Sequence, residues 1–339
     1  MTIREITAES EWEVFVHACN PATFLHSWAW GQVQKRTGEG VRYLAIQDGD
    51  KQIGAALVIL VKARRGWHYL IPHGPLCLSN ENNREAVLAV VRYLREKAAH
   101  DRAVCVRIAP LWEDTPASRE TFAALGFRPA PLHVHAELTW VLDIEASEDE
   151  LLAGMRKTTR HAIKKAQKSG TVAEIITPLA ALERFLPIYH ATRARHQFVP
   201  FSRSFLNAQL EEFNQRGQLF LSIARYQDKD IAAAICVHYG DTVFYHHGAS
   251  LLASGTPPAS HLVQWAAILE AKRRGATRYN FWGIAPESDS NHPFAGITVF
   301  KRGFGGRAIN YLHAQDLPLS PRYWQLWAVD MWRKHRRGF

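Results

Sequence analysis

Residues 261–306 read HLVQWAAILEAKRRGATRYNFWGIAPESDSNHPFAGITVFKRGFGG. The run predicts a helix from His261 to Arg274 feeding a strand, Arg278–Trp282, whose Tyr279, Phe281 and Trp282 are β-prone aromatics. The strand breaks at Gly283, and a polar loop holding Pro286, Ser288, Asp289, Ser290 and Asn291 follows. A short helix is expected from about Pro293, with Ala295, Ile297, Val299 and Phe300 turned inward, ending in Arg302-Gly303-Phe304-Gly305-Gly306. Lys301 and Arg302 fall on its last turn, beside a Gly-rich bend expected to let a ligand approach the backbone. Two cations there either complement the helix dipole or meet an anion.

Upstream, Leu219–Arg225 and Asp230–His238 predict two strands about the turn Gln227-Asp228-Lys229. A third strand, Thr242–His247, runs into a loop with Gly248, Gly255, Pro257 and Pro258. The first half repeats this order. Val41–Gln47 and Gln52–Lys62 form a hairpin about Asp48-Gly49-Asp50. Trp67–Pro72, the turn His73-Gly74-Pro75, a helix from Asn83 to Ala99, the strand Ala103–Ala109 and a helix from Ser118 to Gly126 follow. Ile108-Ala109-Pro110 is echoed by Ile284-Ala285-Pro286, and Gly126-Phe127 by Gly303-Phe304, at nearly the same separation. Shared element order with shared spacing argues for duplication of one α/β unit.

Between the halves, Ser147 with Glu150 has capping-box spacing and Gly170 supplies a stop, predicting one long helix. Leu152, Met155, Ile163 and Ala166 share one face; Arg156, Lys157, Arg160, Lys164 and Lys168 lie roughly opposite. Such a face is either simply solvated or, being one-signed, touches an anion. At the start, a helix near Glu9–His17 precedes FLHSWAWGQVQKRTG, where Ser27 is placed to cap a helix burying Trp28, Trp30 and Val33. At the end, Ser320–Phe339 predicts a helix with Pro321 in its first turn. Its Tyr323, Trp324, Trp327 and Trp332 suit either a membrane-surface helix or, the expectation here, docking on a core that leaves Arg333, Lys334, Arg336 and Arg337 to meet phosphates.

The chain of 339 residues has room for two domains, and 47% hydrophobic with 22% charged residues describes a globular protein. No apolar run approaches the roughly 18 residues of a membrane span, and the start lacks a secretory pattern. Cys19, Cys77, Cys105 and Cys236 form no CxxC pair, which suggests reduced thiols in a cytoplasmic protein. A formal charge of +9 points toward polyanionic partners.

Element order of this kind is typical of N-acyltransferase folds that use acetyl-CoA. Those hold the pyrophosphate on a Q/R-x-x-G-x-G/A turn, but the equivalent stretches here read HGPLCLSNENN and HHGASLLASGTPPAS. No P-loop, dinucleotide fingerprint or GxSxG elbow occurs. His133-Val134-His135 and His246-His247 lack ligand partners at recognisable spacing, so no metal is expected.

The chain resembles the Fem aminoacyltransferases (FemA, FemB, FemX), which build peptidoglycan interpeptide bridges. The pieces are FLHSWAWGQVQK, YLIPHGP, MRKTTRHAIKKAQKSG, HHGAS, LVQWAAILEAKRRGATRYNFWGIAP, FAGITVFKRGFGG and Tyr311. Its length leaves no room for the coiled-coil arm of FemA and FemB, so it looks closest to the short FemX type. The resemblance implies an α/β (α+β) chain of two tandem acetyltransferase-like (GNAT-type) domains, with mixed sheets flanked by helices. Residues 1–145 with 318–339 would form the first and 146–317 the second. It implies an aminoacyl-tRNA donor and, as acceptor, an amine on the stem peptide of a UDP- or lipid-linked muramoyl-pentapeptide. No cofactor or metal is implied; the location is cytoplasmic, with room for peripheral contact with the inner membrane face.

Residue by residue, the motif's Phe-Lys pair falls on Phe300 and Lys301, with Lys301 as oxyanion donor or diphosphate holder and Arg302 beside it. Arg195, in the T-x-x-R-x-x-F segment of Thr192, Arg195 and Phe198, would hold substrate phosphate or carboxylate. Lys35, or Gln34 before it, falls where the family has a basic residue after WG. Tyr245 either contacts sugar or peptide, or is a core aromatic. Lys157, Arg160, Lys164 and Lys168 would meet tRNA or phosphate. Ala109 and Asn280 stand where relatives carry acids, so no general base is assigned. Lys301 and Arg195 are expected in one open cleft of cations. Rival readings are an acyl-CoA-dependent N-acyltransferase and a non-catalytic RNA-binding module.

Overall fold

The computed structural model describes residues 1–177, 181–196, 199–251, 255–288 and 292–337. Phe198, Asp289, Ser290 and Asn291 lie outside the described residues. The chain divides into unit 1, Met1–Leu138 with Ile309–Phe339, and unit 2, Thr139–Ala308.

Unit 1 opens with β1 (Thr2–Glu5), α1 (Glu9–Ala18) and α2 (Trp28–Arg36), the last capped by Ser27, whose Oγ accepts from Trp30 N at 3.0 Å. There follow β2 (Gly40–Asp48), β3 (Lys51–Ala63), β4 (Gly66–Pro72), β5 (Leu76–Cys77), α3 (Asn83–Asp101), β6 (Ala103–Ala109), α4 (Pro116–Ala124) and β7 (Arg128–Pro129). Unit 2 contains β8 (Leu138–Asp143), α5 (Glu148–Gly154), α6 (Lys157–Lys168), β9 (Val172–Ile176), α7 (Ala181–His196), α8 (Arg203–Asn214) and β10 (Leu219–Tyr226). It continues through β11 (Lys229–Tyr239), β12 (Thr242–Ser250), α9 (Ala259–Arg273), β13 (Arg278–Gly283), α10 (Ala295–Arg302) and β14 (Arg307–Asn310). The chain then returns through β15 (Gln315–Pro318) and α11 (Tyr323–Arg337).

The strand orders are β1-β2-β3-β4-β6-β15-β7 and, read from its far edge, β9-β10-β11-β12-β13-β8-β14. They match place for place. β4 and β12 run parallel to β6 and β13, whereas β2–β3 and β10–β11 are antiparallel hairpins. In each sheet the strand beyond the parallel pair comes from the other end of the duplication: β15 pairs with β6, and β8 with β13. Those pairings move both boundaries a few residues earlier than the 145/146 and 317/318 divisions expected.

β3 is a nearly unbroken apolar run because both its faces are covered. In unit 1, Val87, Val90 and Leu94 of α3 pack on Ala56, Val58, Val106 and Ile108. In unit 2, Leu262, Val263 and Ile268 of α9 pack on Ala232, Ala234, Cys236 and Phe281. The turn of the β10–β11 hairpin holds Gln227 and Asp228 at φ 47° and 60°, which matches strand twist.

Three expectations are corrected. The long junction helix is two: Met155 is extended (φ −73°, ψ 155°) between α5 and α6, which buries its side chain and frees Arg156 N to donate to Gly303 O at 2.9 Å. The Gly-rich bend does not present backbone to a ligand but meets the chain itself. A Cβ at Gly303 would lie 2.3 Å from Thr159 Oγ1, and one at Gly306 2.3 Å from Val141 O. Thirdly, α10 turns Thr298 and Lys301 inward and leaves Ile297 and Val299 exposed, the reverse of the apolar pattern.

Candidate active site in the second unit

β12 and β13 pair only at Thr242–Arg278, Val243–Tyr279 and Phe244–Asn280, although β12 runs on to Ser250 and β13 to Gly283. Two backbone devices part them. β12 bulges at His246, where the register against β11 jumps from Ile235–His247 to Cys236–Tyr245. β13 bends at Trp282, held at φ 67° while its N–H donates to Asn280 Oδ1 at 2.7 Å. A bulky residue at positive φ is a strained position, and such strain clusters at functional sites. Asn280 thus serves the bend.

Lys301 enters this split from α10. Its Nζ donates to Gly283 O at 2.5 Å and lies 5.8 Å from the Tyr245 ring centroid. The side chain is only 5% exposed, and burial pushes its ammonium down to about 7. Thr298, one turn earlier on the same face, accepts from Ala285 N at 2.7 Å and fixes α10 to the segment leaving β13. Phe300, expected in the catalytic pair, instead packs 4.9 Å from the His261 ring and 5.4 Å from Phe304. Its packing seats the helix that carries Lys301.

Tyr245 packs against the unit 2 core, and its hydroxyl folds over Gly248, where a Cβ would stand 1.6 Å from Oη. That approach explains the glycine of HHGAS. A residue not foreseen joins the site: Gln209 of α8, fully buried, meets His246 Nδ1 at 2.6 Å and His247 Nε2 at 2.9 Å. The His246 ring stands 5.7 Å from Trp282. The adjacent histidines are plain in the sequence; the bulge that aims both at one amide is not.

Arg195 is exposed on α7 and clamps the far end of β12, donating to Ser250 O at 2.9 Å and Oγ at 3.3 Å. Thr192 joins the clamp, accepting from Ser250 N at 2.9 Å. Tyr245 and Ser250 are separated by about 16 Å of strand at ~3.3 Å per residue. One open cleft holding both cations is therefore corrected: Lys301 is buried at one end of the split strand, and Arg195 is exposed at the other.

The remaining candidates are engaged in different ways. Arg302 pairs with Glu287 and lies 5.2 Å over Trp140, whose Nε1 donates to Gly305 O at 2.6 Å. Arg160 Nη1 donates to the carbonyls of Leu152, Ala153 and Met155, closing the end of α5, while Lys157, Lys164 and Lys168 are exposed. In unit 1, Lys35 is exposed, its Nζ 5.6 Å and 5.2 Å from the centroids of Trp28 and Tyr43, which stack at 4.0 Å. Among the described residues no group of three or more His, Cys, Asp or Glu is placed to hold a metal ion.

Two family models match. One, the FemAB family, covers residues 7–123, and the other, an acetyltransferase (GNAT) domain, covers residues 153–301. A lipid II:glycine glycyltransferase of Staphylococcus aureus (strain USA300) is 22% identical, over 93% of this chain and 93% of its own. The crystal structure of FemX superposes with a TM-score of 0.83 at 19% identity, covering 96% of this chain and 99% of that one. A tandem GNAT protein from the clavulanic acid biosynthesis pathway gives 0.57 at 11% identity, over 94% and 99%. Both units have the GNAT-type fold, and the resemblance to the Fem family, on the plan of FemX, holds along nearly the whole chain.

Proposed function

We propose that this chain moves an amino acid from aminoacyl-tRNA to an amine on the stem peptide of a peptidoglycan precursor. The observation that carries the reading is the buried Lys301 amine in the split between β12 and β13, with titration near neutrality. The relative named for lipid II and glycine supports a lipid-linked muramoyl-peptide acceptor. The tRNA donor rests on the family resemblance and on the exposed Lys157, Lys164 and Lys168.

In this reaction the acceptor ammonium first loses a proton to solvent. Its nitrogen attacks the ester carbonyl, forming a C–N bond and an oxyanion. Lys301 in its ammonium form donates to that oxygen; one well-aimed donor of this kind is worth roughly 2.7–4 kcal/mol. Collapse breaks the ester C–O bond as the attacking nitrogen gives up its second proton, and the 3′ ribose oxygen that leaves gains one, so amide and free hydroxyl balance. The developing negative charge holds the Lys301 proton in place although burial alone opposes it. Burial argues against Lys301 as a diphosphate holder, so that part passes to exposed Arg195.

The test supplies amino acid labelled on tRNA together with a lipid-linked muramoyl-pentapeptide. Labelled precursor should form, and RNase pretreatment should abolish it. Transfer from free amino acid and ATP without tRNA would refute the reading. A second reading, acyl-CoA-dependent N-acyl transfer, draws on the split parallel strands and the GNAT-domain match. Thermal protection by CoA thioesters, without protection by the muramoyl-pentapeptide, would favour it.

A further inference from the structure

We infer that the outward face of α11 is a docking surface for an anionic phospholipid bilayer. The C-terminal aromatics were expected to dock together on a core, and only half of them do. Tyr323 and Leu326 are fully buried against Val104 and Cys105, and Trp327 packs beside them. Asp330 is also buried, paired with Arg107 and Arg65. On the other side Trp324 is 50% exposed, Met331 37% and Trp332 59%, with Ala328 exposed between them. Positions 324, 328, 331 and 332 have the i, i+4, i+7, i+8 spacing of one apolar stripe, so α11 is apolar on two opposite faces.

Charge decides what covers the second stripe. Arg322, just before the helix, and Arg336 are exposed, Arg333 and Lys334 are half-buried, and Arg336 lies 5.4 Å from the Trp332 ring. Arg128 stands 4.8 Å from the Trp324 ring. The β3–β4 turn, which meets α11 where Gly66 faces Leu326, adds exposed Arg64. The one carboxylate on α11 is Asp330, withdrawn into its pairs with arginine. Indoles flanked by an excess of cations suit the headgroup level of an anionic leaflet. A second copy would bring the same one-signed face against itself, which opposes self-pairing. The inference stands on α11 and its neighbours and does not require the transfer reaction.

Flotation of the full chain through a density gradient tests it, with vesicles of phosphatidylcholine alone or containing about 30% phosphatidylglycerol. The chain should float with the anionic vesicles, stay down with the neutral ones, and be released by about 0.5 M salt. The double variant W324S/W332S should lose on the order of tenfold in partitioning. Ala328→Glu, which keeps both indoles and their packing, should reproduce the loss with an unchanged melting temperature. Transfer to a soluble UDP-linked acceptor should be unaltered in both variants, which separates failure of docking from failure of the proposed reaction. Equal flotation of wild type and variants would overturn the inference. So would no flotation at all, or sedimentation showing a wild-type dimer that the variants dissociate.

Discussion

The two units share a strand order, yet their parallel pairs end differently. In unit 1, β4 and β6 stay in register from Tyr69–Val106 to Pro72–Ala109. The imidazole of His26 then bridges Pro72 O at 2.6 Å and Leu57 N at 2.8 Å, tying the end of β4 to the middle of β3. In unit 2 the pair parts after Phe244–Asn280, and Lys301 occupies the gap. By the shared Gly-Phe step, Lys301 stands where unit 1 has Ala124. Burying a neutral imidazole with both nitrogens bonded is stable, whereas burying an amine that titrates near 7 costs stability. Duplication has let one copy keep its strands joined while the other holds a destabilising group.

The largest break in that comparison should come from Lys301→Met, which keeps length and removes charge. Turnover should fall about 10²–10³-fold, matching the loss of one oxyanion donor, while the melting temperature holds or rises. Near-normal turnover would remove Lys301 from the site. The same lysine predicts a pH signature. Its folded-state value, about 7, lies below the unfolded one, so between about 7 and 10 the unfolded chain binds more protons. Its contribution to stability therefore rises with pH across that window and is lost as pH falls through 7. Comparing wild-type and Lys301→Met melting curves over that range isolates it. In activity the sign reverses: kcat/KM should carry a descending limb near pH 7, which Lys301→Arg removes.

A stability comparison sharpens the contrast between the glycine turns. Gly306→Ala, at φ 97° with Val141 O 2.3 Å from the new Cβ, should cost upwards of about 2 kcal/mol. Gly126→Ala, at φ 85° with nothing nearer than Leu317 Cδ1 at 3.6 Å, should cost only about 1 kcal/mol. Equal losses in denaturant titrations would mean that the close backbone approach in unit 2 has no energetic weight.

These differences mark what was legible in the sequence. Hairpins, the duplicated order and the caps at Ser27 and Ser147 depend on local chemistry, and their residues announce them. The split does not. The bulge at His246 exists only relative to β11, and the positive φ of Trp282 breaks the preference of that residue type. Lys301 is marked by its motif, but its burial is hidden because Ile297 and Val299 look like the inner face of α10. The exchanged strands β8 and β15 are not announced, because such short segments carry little periodicity. The break at Met155 is masked because Leu152, Met155 and Ile163 satisfy helical spacing across it.

The cation proposed to hold substrate should show a smaller effect. Arg195→Ala removes charge-assisted bonds worth roughly 1.5–3 kcal/mol each. Acceptor KM should rise on the order of tenfold or more with kcat nearly kept, the opposite split from Lys301. Loss of kcat alone would overturn the substrate-holding role proposed for Arg195 and give it a part in the chemistry.

The weakest effect belongs to α6. Lys157, Lys164 and Lys168 are exposed, so replacing all three by Gln should leave the melting temperature nearly unchanged. If they meet tRNA phosphates, the slope of log K against log salt should fall by roughly 0.7–0.9 for each phosphate no longer neutralised. Arg160→Gln tells the two uses of a cation on this helix apart. Its Nη1 is committed to the carbonyls of Leu152 and Ala153, so its loss should lower stability through the frayed end of α5. A salt slope that moves with Arg160 but not with the three lysines would shift tRNA binding from the exposed face of α6 to the α5–α6 break.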